Sequence, residues 1–304
     1  MKSDIIIIGA GLFGSMTAKY MKKKGLNVIL IDCEQEMAAS KCSFGVWKEG
    51  WINKTIKTEV AEGLPLLEEF AGIKKEEFFN MDKEILEPMF YVDCRKILNE
   101  KYLKETVVSI KNNIVKTNKG EHTSTKAVIV CAGVWTPELL KGYKNVPKVD
   151  IAWGATMDYS QNIDSSRYKT WAPYRQSILL KVDEKKFVFG DGATVKNPKT
   201  EDPRIEAAST RLVLHAADVI GSSDISKITS VKEGYRPYLA KGFGSMVNQH
   251  DSKLFSATGG AKNSTILCGW VAKSLYSLVI GKASKIKQEE VEEEIIEFED
   301  DLPF

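Results

Sequence analysis

The pattern of apolar and polar positions divides the chain into strands buried on both faces, amphipathic helices and glycine-punctuated turns. Four consecutive isoleucines (Ile5 to Ile8) run into Gly9-Ala10-Gly11, which predicts a strand covered on both sides, as in a parallel sheet. Residues 11–24 predict the first helix, with Leu12, Met16, Tyr20 and Met21 on one face. A second apolar run, Val28 to Ile31, ends in Asp32, and a small, polar loop follows over residues 37–45. Helices are expected over 57–71, closed by Gly72, and from Asp93 to Leu103. Val107–Ile110 and Ile114–Thr117, joined through Asn112-Asn113, predict a hairpin. Lys126 to Gly133 is another buried strand ending in small residues, and Trp135-Thr136-Pro137 opens a short helix.

From Val149 to Gly192 the texture changes to longer strands with polar interruptions, with Ser177–Val182 and Lys186–Gly190 as antiparallel neighbours. A helix follows from Thr200 to Ile220, with Ile205, Ala208, Leu212, Ala216 and Val219 on its apolar face and His215 beside it in a structural role. Strands resume at Ile228–Arg236 and Phe255–Ala257, the latter ending in Gly259-Gly260, and a long helix carries Ile266, Leu267, Trp270, Val271, Leu275 and Leu278. The expectation is an α/β fold whose parallel sheet is joined to a second, antiparallel domain.

Composition narrows this picture. The chain has 304 residues, 43% of them hydrophobic, enough for one large domain or two intimate ones. No stretch reaches the roughly 20 apolar residues of a membrane span. Five cysteines without C-x-x-C spacing and three scattered histidines point away from a metal site and toward a reducing, cytoplasmic setting. Net charge is +2, unevenly spread: residues 288–304 hold nine of the 41 acids and no Lys or Arg, leaving 43 bases against 32 acids, a net of +11, on the rest. A basic body with an acidic extension points to an anionic partner or to self-shielding.

Candidate chemistry starts at the first turn. Gly9-Ala10-Gly11-Leu12-Phe13-Gly14 reads G-x-G-x-x-G between a strand and a helix. Gly9 suits the tight turn, Gly11 the approach of a pyrophosphate and Gly14 the packing of helix on strand. The helix start offers amides and a positive dipole end to phosphates. Asp32, 18 residues after Gly14 at the end of the next apolar run, stands where an acid takes the adenosine ribose. The motif alone leaves FAD and NAD open.

Read as a set, three strand-to-glycine turns (5–14, 127–135 and 255–263) resemble the FAD-dependent D-amino-acid oxidase and glycine oxidase family (DAO), which includes sarcosine oxidases. Val128 to Leu139 (VIVCAGVWTPEL), Gly234-Tyr235-Arg236-Pro237 and Ala257 to Asn263 (ATGGAKN) resemble that family's segments. The resemblance implies a glutathione-reductase-type FAD domain over 1–50, 95–148 and 230–285, an α+β antiparallel-sheet substrate domain over 51–94 and 149–229, and an acidic tail over 286–304. It implies FAD as cofactor. Besides Gly9, Gly11, Phe13, Gly14, Asp32 and Cys33, it puts Ser40, Lys41, Cys42 and Ser43 at the pyrophosphate and flavin edge, and Val107 or Val108 at adenine. It also puts Ala132, Gly133 and Trp135 against the dinucleotide, and Gly259, Gly260, Ala261, Lys262 and Asn263 at the flavin. Cys42 is a candidate for covalent attachment.

Arg236 is the implied fork for a substrate carboxylate, which suits a guanidinium, with Tyr235 and Tyr238 as weaker candidates. There are departures. No acid follows Arg236-Pro237 closely, Gly260 stands where His is common, and the substrate half is shortened, which opens room for a bulky substrate. The last residues, Glu297 to Phe304, resemble the C-terminal tip of bacterial single-stranded-DNA-binding protein; Asp300, Asp301, Leu302, Pro303 and Phe304 are the expected contacts with replication or repair proteins.

The expected activity is FAD-dependent oxidation, or lyase chemistry, at the C–N bond of a glycine-like amine. The favoured substrate is an amino-acid-modified thymine in DNA, for which glycine-oxidase-like enzymes of bacteriophage DNA hypermodification are the family precedent. Free small amino acids giving imine and peroxide, or a non-enzymatic flavoprotein recruited by its tail, are the alternatives.

Overall fold

A computed structural model describes residues 1–160, 169–173, 177–182, 186–192, 194–221, 224–239 and 246–281. The acidic tail and its expected contacts, Asp300 to Phe304, lie outside these residues. In chain order the strands are β1 (Lys2–Ile8), β2 (Val28–Asp32), β3 (Val46–Trp47), β4 (Lys74–Asn80), β5 (Ile85–Tyr91), β6 (Leu103–Lys104), β7 (Val107–Lys111), β8 (Ile114–Thr117) and β9 (Gly120–Val130). They continue with β10 (Val149–Tyr159), β11 (Lys169–Ala172), β12 (Ser177–Lys181), β13 (Phe187–Gly190), β14 (Val195–Lys196), β15 (Ile228–Leu239), β16 (Val247–Gln249) and β17 (Leu254–Ala257). The helices are α1 (Leu12–Lys23), α2 (Lys57–Ala71), α3 (Cys94–Leu98), α4 (Thr136–Leu139), α5 (Pro203–Ile220) and α6 (Ser264–Val279).

Two sheets result. The first runs β16-β17-β9-β1-β2-β6, with the β7–β8 hairpin attached to β9 through β8. Its centre is parallel: β1 pairs with β2 and β9, and β9 with β17. Because side chains alternate along a strand, the four isoleucines serve two cores. Ile5 and Ile7 face α1, α2 and α6, whereas Ile6 and Ile8 face the hairpin residues Ile110 and Val115 and the buried Leu140.

The second sheet runs β14-β10-β13-β12-β11-β4-β5-β3, with β15 on the other edge of β10. It is antiparallel except where β11 meets β4. One face buries Trp153, Met157, Leu179, Phe187 and Phe189 against Leu212, Ala216 and Val219 of α5. The opposite face carries Ile178, Leu180, Trp171 and Phe78, with Phe44 laid on Gly190. The α/β class and the two-sheet architecture are as expected.

Two helix boundaries differ from the sequence reading. The helix expected over 93–103 is only Cys94–Leu98; Glu100 is drawn to Lys19 and Lys22, and Leu103–Lys104 joins the sheet beside β2. The helix expected from Thr200 starts at Pro203, where Asp202 accepts the Arg204 amide and the proline has no amide to leave unpaired. Two elements lie across the expected domain division. Residues 57–71 were placed with the substrate domain, but α2 packs in the core of the first sheet through Val60, Leu66 and Leu67. The strand beginning the segment 230–285 was placed with the FAD domain, but β15 pairs along its length with β10 of the second sheet.

Among the described residues no helix is long and apolar enough to cross a membrane, and no group of His, Cys, Asp and Glu is placed to hold a metal ion.

Candidate dinucleotide and substrate site

A cleft with about 1230 Å³ of free space, open solvent included, runs along the C-terminal ends of β1, β2 and β9. This is where open α/β sheets bind ligands. Gly9, at φ +101°, makes the turn: a Cβ there would stand 2.4 Å from the Cys131 carbonyl oxygen, so only glycine fits. Gly14 packs beneath it, out of the cleft, where a Cβ would run into the Gly9 carbonyl. The Ala10 amide donates to Asp32 Oδ2 at 2.6 Å and the Glu34 amide to Oδ1 at 2.5 Å. Asp32 therefore ties the turn to β2 and keeps lone pairs for a further donor. Ser40 Oγ accepts the Leu12 amide at 3.0 Å, bringing the 39–42 turn onto the helix start.

Of the residues expected at the cofactor, Gly9, Gly11, Phe13, Asp32, Cys33, Ser40, Val107, Ala132, Gly133 and Trp135 line this cleft, as do Tyr235 and Pro237. Val107 rather than Val108 faces it; Val108 is 64% exposed. Lys41 folds back on its own loop, donating to the Gln35 carbonyl. Ser43 Oγ lies 2.9 Å from Thr265 Oγ1, holding the loop to α6. Cys42 is buried against Gly234, and burial pushes its thiol up to about 11 despite the charges of Arg236 and Lys232. A thiolate, the form that would attack a flavin, is thereby disfavoured. This argues against covalent attachment.

The sequence reading missed Glu105 and Thr106 at the adenosine end and Thr258 at the other. Glu105 is held at 2.7 Å from both Thr117 Oγ1 and His122 Nε2, and these bonds keep its carboxyl below the usual range. Its signal was faint: a lone acid two residues before a hairpin.

The two halves meet along β15. The Tyr235 amide donates to the Met37 carbonyl at 2.8 Å, and bridges link Tyr235 to Ala38 and Tyr238 to Gly260. Alternation sends Tyr235 and Pro237 to the cleft side and Gly234, Arg236 and Tyr238 to the other. The Arg236 guanidinium lies on Gly154, where a Cβ would stand 2.4 Å from Nη2. Its Nη1 donates to Thr194 Oγ1 at 3.2 Å. Burial raises the Tyr238 hydroxyl, partly offset by Arg236. Burial and the Arg236 charge lower the Lys262 amine. Arg236, Tyr238 and Lys262 thus form one cationic corner at the turn 259–263. Phe13 reaches that turn from α1: a Cβ on Gly260 would stand 2.6 Å from its ring.

Comparison with known proteins agrees with this geometry. The DAO family profile, described as FAD dependent oxidoreductase, matches residues 4–82. A solved glycine oxidase from Bacillus cereus superposes with a TM-score of 0.70 at 14% identity, covering 95% of this chain and 100% of that one. The fold is that of the DAO-type FAD-dependent oxidoreductases. Iminodiacetate oxidase from Chelativorans sp. BNC1 has the same DAO-type fold, at TM-score 0.70 and 14% identity over 94% of this chain and 97% of its own. Digeranylgeranylglycerophospholipid reductase 1 of Methanosphaera stadtmanae is 46% identical over 56 residues, 17% of this chain and 14% of the reductase. The match to that curated relative therefore spans only about a seventh of its length. The cofactor of the DAO family is FAD, and the cradle of Gly9, Gly11, Ser40 and Asp32 fits its adenosine and pyrophosphate.

Proposed function

We propose that this protein is an FAD-dependent oxidoreductase acting on the C–N bond of a glycine-like amine that bears a carboxylate. The favoured substrate is an amino-acid-modified thymine in DNA, processed by oxidase or lyase chemistry. One observation carries the reading: the Arg236 guanidinium lies on the inner face of the second sheet, held by Thr194 and bordered by Tyr238 and Lys262 at the 259–263 turn.

Gly9, Gly11 and Ser40 would hold the pyrophosphate of FAD, Asp32 the ribose, and the 259–263 turn with α6 the flavin end. FAD, when bound, supplies a two-electron acceptor for the amine-bearing carbon. The chain's own residues do the rest. Ser40 Oγ accepts the Leu12 amide and so keeps its proton for a phosphate oxygen. Arg236 receives the carboxylate in a fork, which fixes the orientation of the α-carbon. Arg236 and Lys262 together disfavour a third positive charge beside them, so a bound ammonium loses its proton more easily and presents the neutral amine. Tyr238, with its hydroxyl held protonated by burial, donates beside the carboxylate.

The DNA substrate is supported by the net charge of +11 on residues 1–287 and by the resemblance of residues 297–304 to a replication-type tip. Anaerobic addition of DNA carrying a glycine-like thymine substituent is expected to bleach the flavin absorbance. Bleaching by free glycine or sarcosine, with none by modified DNA, would replace the DNA reading with a plain amino-acid oxidase.

A further inference from the structure

On β15 the face that carries Arg236 also carries Lys232 and Ser230. Opposite them on β10 the register sets Ala152, Thr156 and Asp158. The alternate residues Trp153, Met157 and Tyr159 point the other way, into the core with α5. Arg236 and Lys232 therefore share a face four residues apart, about 13 Å along the strand at about 3.3 Å per residue.

Lys232 is not a loose surface lysine. Its Nζ lies 2.8 Å from Asp158 Oδ2, and Lys186 Nζ lies 3.0 Å from the same oxygen, from the strand on the other side. Ser230 Oγ donates to that oxygen at 2.9 Å. The Asp158 side chain is 4% exposed, while the two lysine side chains are 38% and 42% exposed. One ammonium would neutralise the carboxylate; the second leaves a surplus positive charge. Both amines are held by Asp158 on side chains that stay partly exposed, and an ammonium has three N–H donors.

Between this pair and Arg236 the strand has Gly234, and the 39–42 turn lies directly over it: a Cβ there would stand 2.8 Å from the Ala39 Cα. Cys42, in that turn, feels the charges of both Arg236 and Lys232. A ligand touching both cationic points would cross this turn.

We infer that Lys186 and Lys232, seated on Asp158, form a phosphate subsite for a nucleotide whose base-linked carboxylate lies at Arg236. The inference rests on the proposed function and names the second anchor of its substrate. The backbone spacing of about 13 Å between the two residues is of the order of the distance from a base substituent to the phosphate of the same nucleotide. A free amino acid has nothing to place there. No covalent step is involved, only charge-assisted hydrogen bonds to a phosphodiester.

The test is the affinity of the FAD-loaded protein for a short labelled oligothymidylate, measured by fluorescence anisotropy at several salt concentrations. Lys186→Gln and Lys232→Gln, made separately so that one lysine still neutralises Asp158, are each expected to weaken binding several-fold. Each should also flatten the salt dependence by about 0.7 in log–log slope. Asp158→Asn removes the competing carboxylate and is expected to tighten binding. Opposite directions for the two kinds of variant cannot come from simple loss of structure. Unchanged affinity in all three variants, or weakening in all three, would overturn the subsite. Flavin bleaching by modified DNA separates this from the reading beneath it. Bleaching that is indifferent to the lysines leaves the reading and removes the subsite. Lysine-dependent oligothymidylate binding without bleaching leaves the subsite and removes the reading.

Discussion

At the scale of single residues, the site depends on what lies beneath Arg236. The guanidinium can lie flat because position 154 has no side chain. Arg236→Ala is expected to cost about 1.5–3 kcal/mol in kcat/KM for a carboxylate-bearing amine, the range for hydrogen bonds to charged groups, with the flavin spectrum unchanged. Arg236→Lys should recover little of it, because an ammonium cannot form the fork. Gly154→Ala should resemble Arg236→Ala, since its Cβ would occupy the guanidinium's place; a variant with unaltered KM would show that Arg236 does not hold substrate. Cys42 gives a second, pH-based outcome. Its thiol is raised to about 11, so at pH 8 only about one molecule in a thousand is thiolate. Alkylation of native protein should leave Cys42 unmodified while exposed Cys33 reacts. Acid precipitation should release the flavin and leave a chain of unmodified mass. A flavin adduct on the Cys42 peptide would contradict both statements.

At the scale of elements, α2 and α6 cross at a glycine pair. A Cβ on Gly269 would stand 2.2 Å from the Gly63 carbonyl oxygen, and one on Gly63 would stand 2.6 Å from the Trp270 nitrogen. Replacing a mid-helix glycine by alanine gains up to about 1 kcal/mol of helix propensity, but forcing two packed helices apart costs about 1–3 kcal/mol. The clash wins. Gly269→Ala should lower the thermal midpoint by a few degrees, at roughly 2–4 °C per kcal/mol. Gly50→Ala, with nothing within 4 Å, should leave the midpoint alone. The same helix pair shows what the sequence made legible. The turns at Gly9, Gly133 and Gly259 were readable because a dinucleotide cradle demands small residues at fixed spacing after a strand. The partner of residues 57–71 was not readable, because an amphipathic stripe states that a face is buried and not against what. Glu105 and Thr106 escaped for a related reason: they reach the cleft by strand pairing between Asp32 and Leu103–Lys104, which no local pattern encodes. Arg236 was legible only through its G-x-R-P setting; its supports Gly154 and Thr194 lie 82 and 42 residues upstream, and pairing alone brings them to it.

At the scale of the whole molecule, β15 joins the two sheets, and charge separates the body from its tail. Residues 1–287 carry a net of +11 and residues 288–304 a net of −9. An acidic segment tethered to a basic body competes with any polyanion for the same surface, and it does so at the high effective concentration of an intramolecular ligand. The body's affinity for nucleic acid should then be masked in proportion to how well the tail reaches it, and salt should weaken both interactions together. Deleting residues 288–304 is therefore expected to delay elution from a heparin column and to tighten oligonucleotide binding. It should leave flavin content and the kcat/KM for a small carboxylate amine unchanged, because the FAD cradle and Arg236 lie among residues 9–263. Neutralising the nine acids to Gln and Asn should reproduce the deletion if charge is the cause. If only loss of Phe304 changes the behaviour of the protein, the segment acts through a specific protein partner and not by covering the body. Identical elution of the full and shortened chains would show that the two charged regions do not meet.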